Sequence, residues 1–242
     1  MSTSILITAK INPDLDGVAC AYAYSHFLRM QGKNVTGGVF GQMHAEAAYL
    51  IDRFGIEDVV HDPAGPFHSF ILVDASDMAG MPSAIRQEDV MEIIDHREVH
   101  RADELFPNAK IHIERVGSAA TLIAEKYRSS EYSIDPHSGI LLFGAIYSNT
   151  LNFQASITTE RDKAAADWLR TQVAVPTSLV DEMFAFLVFQ DINEIPHTNN
   201  ILMNRMPDYA LRRFVRQPSK VIIKRTGLPA VAPPQRSEGW SG

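Results

Sequence analysis

Phe70-Ile71-Leu72-Val73-Asp74 and, after a polar interval, Val90-Met91-Glu92-Ile93-Ile94-Asp95-His96-Arg97 are two near-continuous apolar runs, each ending on an aspartate. Short runs with little polar alternation suit strands covered on both faces, as in a parallel sheet. Upstream, Ser4-Ile5-Leu6-Ile7-Thr8-Ala9 reads the same way and feeds the polar turn Asn12-Pro13-Asp14-Leu15-Asp16-Gly17. Val35 to Phe40 and Lys110-Ile111-His112-Ile113 complete the strand set. Between them, helical spacing runs from Gly17 to Met30 and stops at Gly32, Ala45 to Phe54 is closed by Gly55, and Ser118 to Tyr127 forms a third helix. Strands alternating with such helices predict an α/β domain, a mainly parallel β-sheet flanked by helices on both faces.

The 242 residues are 45% apolar and 21% charged. That is ordinary globular usage, and it excludes a disordered chain, a collagen-like fibre and a coiled coil. One cysteine, Cys20, excludes a disulfide framework and a cysteine-rich zinc site. No run approaches the ~18 apolar residues that span a bilayer, and the N-terminus lacks a basic region followed by an apolar core. The expectation is a cytoplasmic protein with no membrane partner.

Downstream the pattern becomes helical. Pro136 to Leu169 reads as helices separated by the Asn149–Ser156 loop, and Ser178 to Phe189 as one more. Past Pro196 proline and arginine increase, with one strand candidate at Val221-Ile222-Ile223. The net charge of -7 is unevenly spread: residues 1–200 hold 14 Lys/Arg against 27 Asp/Glu, and residues 201–242 hold 8 against 2. An acidic body argues against nucleic acid as partner, short oligonucleotides excepted. The chain therefore divides into a domain over 1–190 and a basic extension over 191–242. Phe184, Phe186 and Phe189 suit helix packing and an oligomer face equally, so a homo-oligomer stays open.

The acids at the strand ends carry the chemistry. In open α/β sheets ligands bind beyond the carboxyl ends of the strands. The runs above deliver Asp14 and Asp16, then Asp74, then Asp95 followed by His96 and Arg97. Each aspartate alone could be a helix N-cap, Asp16 before Gly17 in particular. Together, oxygen ligands with one imidazole suit Mg²⁺ or Mn²⁺. Converging carboxylates without a cation would repel and raise one another's pKa values.

These residues resemble the catalytic N-terminal domain of the DHH phosphoesterases, especially the manganese-dependent pyrophosphatases and the exopolyphosphatase, prune-like branch. Six segments occur in the family's order: INPDLDG at 11–17, ILVDAS at 71–76, IIDHRE at 93–98, IERVGSAATLIAEKY at 113–127, GAIYSNTLNF at 144–153 and TTERDKAAADWL at 158–169. The resemblance implies that Asp14 binds one metal, Asp16 and His96 the other, and that Asp74 bridges them. Asp95 would orient its neighbours. Asp95, His96, Arg97 and Lys10 form the implied catalytic group, and Arg97, His100 and Lys10 the phosphate contacts. Family members hydrolyse phosphoesters or phosphoanhydrides of small molecules, so a small phosphorylated substrate is implied. Gly117-Ser118 would open a helix whose amides face either the anion or another part of the chain.

Three departures alter that expectation. Lys10 stands where the family has a histidine ligand, and a protonated amine repels a cation. Asn149 replaces a late aspartate ligand and brings a neutral oxygen. Arg97 stands at the second histidine, as in the prune-like branch, and suits bidentate grip of phosphate. The reading that follows places the Lys10 ammonium between Asp14 and Asp74, leaving at most one Mn²⁺ or Mg²⁺ per chain on Asp16, Asp74 and His96, with Asn149 as a further donor. On this reading residues 191–242 are expected to hold no counterpart of the family's full C-terminal second domain. The alternative is a catalytically weak or silent anion-binding or regulatory protein.

Overall fold

The computed structural model describes residues 4–97 and 101–194. The chain runs β1 (Ile5–Thr8), α1 (Leu15–Met30), β2 (Val35–Val39), α2 (Ala45–Phe54), β3 (Val60–His61), β4 (Ser69–Val73), a 3₁₀ turn (Gln87–Asp89) and β5 (Val90–Asp95). Then follow α3 (Ala102–Leu105), β6 (Lys110–Ile113), α4 (Ala119–Arg128), α5 (Pro136–Asn149), α6 (Glu160–Gln172) and α7 (Leu179–Glu194). The six strands form one sheet in the order β3-β2-β1-β4-β5-β6. Every pairing is parallel. No helix among the described residues is long and apolar enough to cross a membrane.

The apolar runs are explained by burial on both sides of the sheet. Ile7, Ile71, Val73 and Ile94 enter a core shared with α1, α2, α4, α5, α6 and α7. Their neighbours Leu6, Phe70, Leu72 and Ile93 point the other way, into a smaller core with Ala75, Met81, Ile85 and Phe106. The expectation of helices on both faces needs correction here. One face is helical; the other is covered mainly by the largely irregular chain between Ala75 and Asp89, where Met81 and Ile85 do the covering. The sequence reading also missed β3, whose two residues are too few to show a period.

On α7, Phe184 is buried in the main core and Phe186 stacks on Tyr49 of α2 at 4.8 Å, so both serve helix packing. The side chain of Phe189 lies outside the described part, as do residues 195–242 with the strand expected at Val221–Ile223.

Strand order reverses direction between β1 and β4, which creates a crevice at their carboxyl ends. Gly17, at the start of α1, keeps that crevice narrow: a Cβ there would lie 2.8 Å from Cβ of Ala9 and 3.1 Å from that of Pro13.

Away from the crevice, Asp135 caps α5 by accepting from the Ser138 amide at 2.9 Å, with Pro136 opening the helix. It also faces His26 at 3.4 Å, and His26 reaches Asp58 at 3.5 Å. Burial opposes ionisation of Asp135, but the contacts with His26 and Ser138 prevail and hold it down at about 2. A depressed carboxylate stabilises the fold above its unfolded pKa and loses that contribution as pH falls through its folded value. Asp135→Asn should therefore cost about 1–2 kcal/mol at pH 7, discounted for partial exposure. The difference from the native chain should vanish between pH 4 and pH 2 in urea titrations. A difference that persists unchanged at pH 2 would show that the charge contributes nothing.

Candidate metal centre

Three of the expected residues converge at the crevice. Ligand atoms of Asp16, Asp74 and His96 lie within 4.8 Å of one another. His96 Nε2 is 3.4 Å from Asp74 Oδ1 and 3.8 Å from Asp16 Oδ2. His96 Nδ1 is 3.1 Å from the carbonyl oxygen of Val116, an acceptor that makes Nδ1 the donor. That contact fixes the ring and turns Nε2 toward the carboxylates, the arrangement by which histidines present a nitrogen to a metal. The donor set of two carboxylates and one oriented imidazole fits a divalent ion.

Asp74 follows β4 in a left-handed backbone conformation, φ 50°, which an aspartate adopts at a cost and which aims its carboxylate into the crevice. Burial, then the charge of Asp16, pushes Asp74 up to about 7 against the pull of His96 and Arg97. Burial also opposes the charged form of His96, but Asp74 and Asp16 prevail and raise it to about 9. Without a metal ion, the imidazolium is thus one counter-charge for the acids.

Asp16 is fully buried on the first turn of α1 and gathers donors from distant segments. It accepts from Ser118 Oγ at 2.9 Å, the Ala119 amide at 2.8 Å, the Ala120 amide at 2.9 Å and Asn149 Nδ2 at 2.5 Å. The N-terminus of α4 therefore faces Asp16, which settles the choice left open for Gly117-Ser118 in favour of the protein itself. The dipole and amides there favour a negative charge, yet desolvation by burial leaves Asp16 raised from its ordinary value. Cys20, one turn later, is buried with Sγ 3.5 Å from Asp16 Oδ1. Burial and that charge push its thiol up, so it is unreactive.

The helix cap expected of Asp16 is supplied by Asp14. Its Oδ1 accepts from the amides of Asp16 at 3.0 Å and Gly17 at 3.1 Å. Asp14 is outside the converging triad. Asp95 is buried and holds its neighbours: it accepts from Ser76 Oγ at 2.5 Å, the His96 amide at 2.7 Å and Arg97 Nε at 3.3 Å.

Three placements differ from expectation. The Lys10 ammonium pairs with Asp77 Oδ2 at 3.1 Å, not with Asp14 and Asp74. Asp77 sits in the loop after β4, and Gly80 O accepts the amide of Ile11, which ties the loop to the Lys10 segment. The positive charge on Asp74 comes instead from Arg97. Its Nη2 donates to the Asp74 carbonyl and lies 3.1 Å from Asp74 Oδ1. Two of the N–H groups expected to grip phosphate are thereby occupied, although the side chain is half exposed. Asn149 reaches the centre through its amide nitrogen, as a donor to Asp16. His100 lies outside the described residues.

Sequence reasoning overlooked Asp162, Ser76, Asp77 and the Val116 carbonyl. A backbone carbonyl carries no signal in side-chain identity. Asp162 did have one, the spacing Thr159-x-x-Asp162 of a capping box, which the structure contains.

Fold and site together define an open parallel α/β protein with a donor set fit for a cation, two carboxylates and an imidazole, gathered at its switch point. The model of the DHH family, N-terminal domain, matches residues 4–146, more than half the chain, and the chain belongs to that family. A manganese-dependent inorganic pyrophosphatase of Bacillus subtilis is 31% identical over 167 residues, covering 67% of this chain and 53% of the relative. Its counterpart from Methanothrix thermoacetophila is 29% identical over 172 residues, covering 70% and 54%. The chain spans half to two thirds of the length of the curated relatives it matches. Among solved structures, a candidate family II inorganic pyrophosphatase of Methanococcus jannaschii superposes with TM-score 0.63 at 23% identity, covering 76% of this chain and 60% of that one. An exopolyphosphatase-related protein of Bacteroides fragilis gives 0.60 at 11% identity, covering 81% and 62%. At these identities the two structures bear on the fold alone.

Proposed function

We propose that the protein is a divalent-metal-dependent phosphohydrolase that cleaves a phosphoanhydride or phosphoester of a small molecule, with pyrophosphate or short polyphosphate as the leading substrates and Mn²⁺ or Mg²⁺ as cofactor. The observation that carries this is the convergence of Asp16, Asp74 and His96 at the β1–β4 crevice. Support comes from membership of the DHH family and from relatives described as manganese-dependent inorganic pyrophosphatases. Asp16, Asp74 and the Nε2 of His96 would hold the ion, which supplies Lewis acidity and lowers the pKa of water beside it. Asp95 would keep His96 and Arg97 in place. Arg97, through its exposed edge, and Lys10, at the rim, would meet the phosphoryl oxygens. In this reading residues 1–190 carry the centre and residues 191–242 form a basic extension.

A panel of pyrophosphate, tripolyphosphate, short oligonucleotides and cyclic dinucleotides, assayed with Mn²⁺ or Mg²⁺, tests the reading. Release of phosphate from pyrophosphate or tripolyphosphate is the expected result. Turnover of none of the panel would sink it.

A further inference from the structure

We propose that Arg97 is a built-in cation standing where a second metal ion would share Asp74, so that the centre holds a single divalent ion per chain. The inference rests on the reading of Asp16, Asp74 and His96 as a metal centre and deepens it.

Asp74 has two cationic neighbours on one oxygen. Oδ1 is 3.4 Å from His96 Nε2 and 3.1 Å from Arg97 Nη2. The guanidinium is held at two further points, the Asp74 carbonyl and, through Nε, Asp95 Oδ1 at 3.3 Å. Asp95 is itself buried and hydrogen-bonded by Ser76, so the anchor is firm. Asp14 adds its negative field to the same guanidinium.

The chemistry of the group makes the substitution for a metal ion durable. A histidine or lysine beside a metal site can shed its proton and admit the ion, whereas a guanidinium stays charged. A dication brought to that side of Asp74 would meet a fixed positive charge at close range in a partly buried place, where water screens poorly. The shape of the group matters as well, since the planar guanidinium reaches Asp74 through Nη2 and Asp95 through Nε at once. Lys10, the residue that the sequence suggested for this role, is engaged by Asp77 and leaves Asp74 alone. The two residues therefore predict different mutants, and the difference is measurable without any substrate.

The experiment is a calorimetric titration of metal-free protein with Mn²⁺, paired with elemental analysis, on the full chain and its variants. The native protein should bind one equivalent, and Lys10→His should still bind one. Arg97→Gln combined with Lys10→His should bind two. Thermal unfolding in EDTA checks that each variant is folded, and Arg97→His combined with Lys10→His replaces the glutamine variant if that one fails to fold. Two equivalents in the native chain or in Lys10→His would overturn the proposal. One equivalent in both folded double variants would do the same. Zero equivalents in the native chain overturns the metal centre and this proposal with it. One equivalent bound with no turnover leaves this proposal standing and sinks only the hydrolase reading.

Discussion

Asp74→Asn should abolish tight Mn²⁺ uptake and lower the proposed pyrophosphate turnover about a thousandfold, while leaving the metal-free protein at least as stable at pH 8. The activity estimate equates a lost anionic ligand with roughly 4 kcal/mol of transition-state stabilisation. The stability half follows from the direction of the shift. Burial and Asp16 raise Asp74 to about 7. A raised carboxylate contributes stability below its unfolded pKa and loses it as pH rises through the folded value. At pH 8 the native chain therefore carries the cost of a buried charge, and asparagine, a neutral group of the same shape, removes it. Melting curves in EDTA and in Mn²⁺ separate the two effects. The native protein should gain thermal stability with Mn²⁺ and the variant should not. A variant that keeps the Mn²⁺-dependent gain would show that Asp74 does not hold the ion.

Asp162→Ala should destabilise the fold by about 3–4 kcal/mol, because it strands several buried donors at once. Asp162 is buried and accepts from the Gly117 amide at 2.9 Å, Thr121 Oγ1 at 2.6 Å, and both the amide and Oγ1 of Thr159 at 2.7 Å. It thus fixes the start of α6 to the segment that opens α4. That segment is in turn what grips Asp16, through Ser118, Ala119 and Ala120. The carboxylate has little room to be replaced by anything larger, since a Cβ at Gly117 would already lie 2.9 Å from Asp162 Oδ2. Asp162→Asn should fall between the two proteins, because its amide group turns one donor toward donors. Urea unfolding of both variants gives the numbers. The melting point of the alanine variant should drop by about 10 °C for a chain of this size. A loss under about 1 kcal/mol would show that water or local shifts satisfy the freed donors. Weaker Mn²⁺ binding should accompany the loss, because Asp16 depends on the same loop.

Much of this protein is legible in its amino-acid order, and the reason is locality. Strand β5 and helices α1 and α2 follow from apolar runs and closing glycines within a few residues. The triad Asp16, Asp74 and His96 was legible because Asp74 and His96 lie just past apolar strands, Asp16 opens the helix that follows another, and parallel strands of one sheet deliver their ends to the same edge. The family segments reinforced that placement residue by residue. What covers the second face of the sheet was not legible, since Met81 and Ile85 sit in irregular chain that has no period to read.

The partners of the charged side chains belong to tertiary structure alone. Lys10 meets Asp77 across 67 residues of sequence, and Asn149 meets Asp16 across 133. Arg97 turns back onto Asp74 instead of outward to an anion. A long side chain can reach several carboxylates of similar appeal, and small differences in how two segments dock decide which one it takes. The sequence alone therefore determined the sheet, its acidic edge and the ligand types gathered there. The folded arrangement decided which cation stands on Asp74, because that depends on the position of Asp77 and Asp95 in space and not on any spacing along the chain.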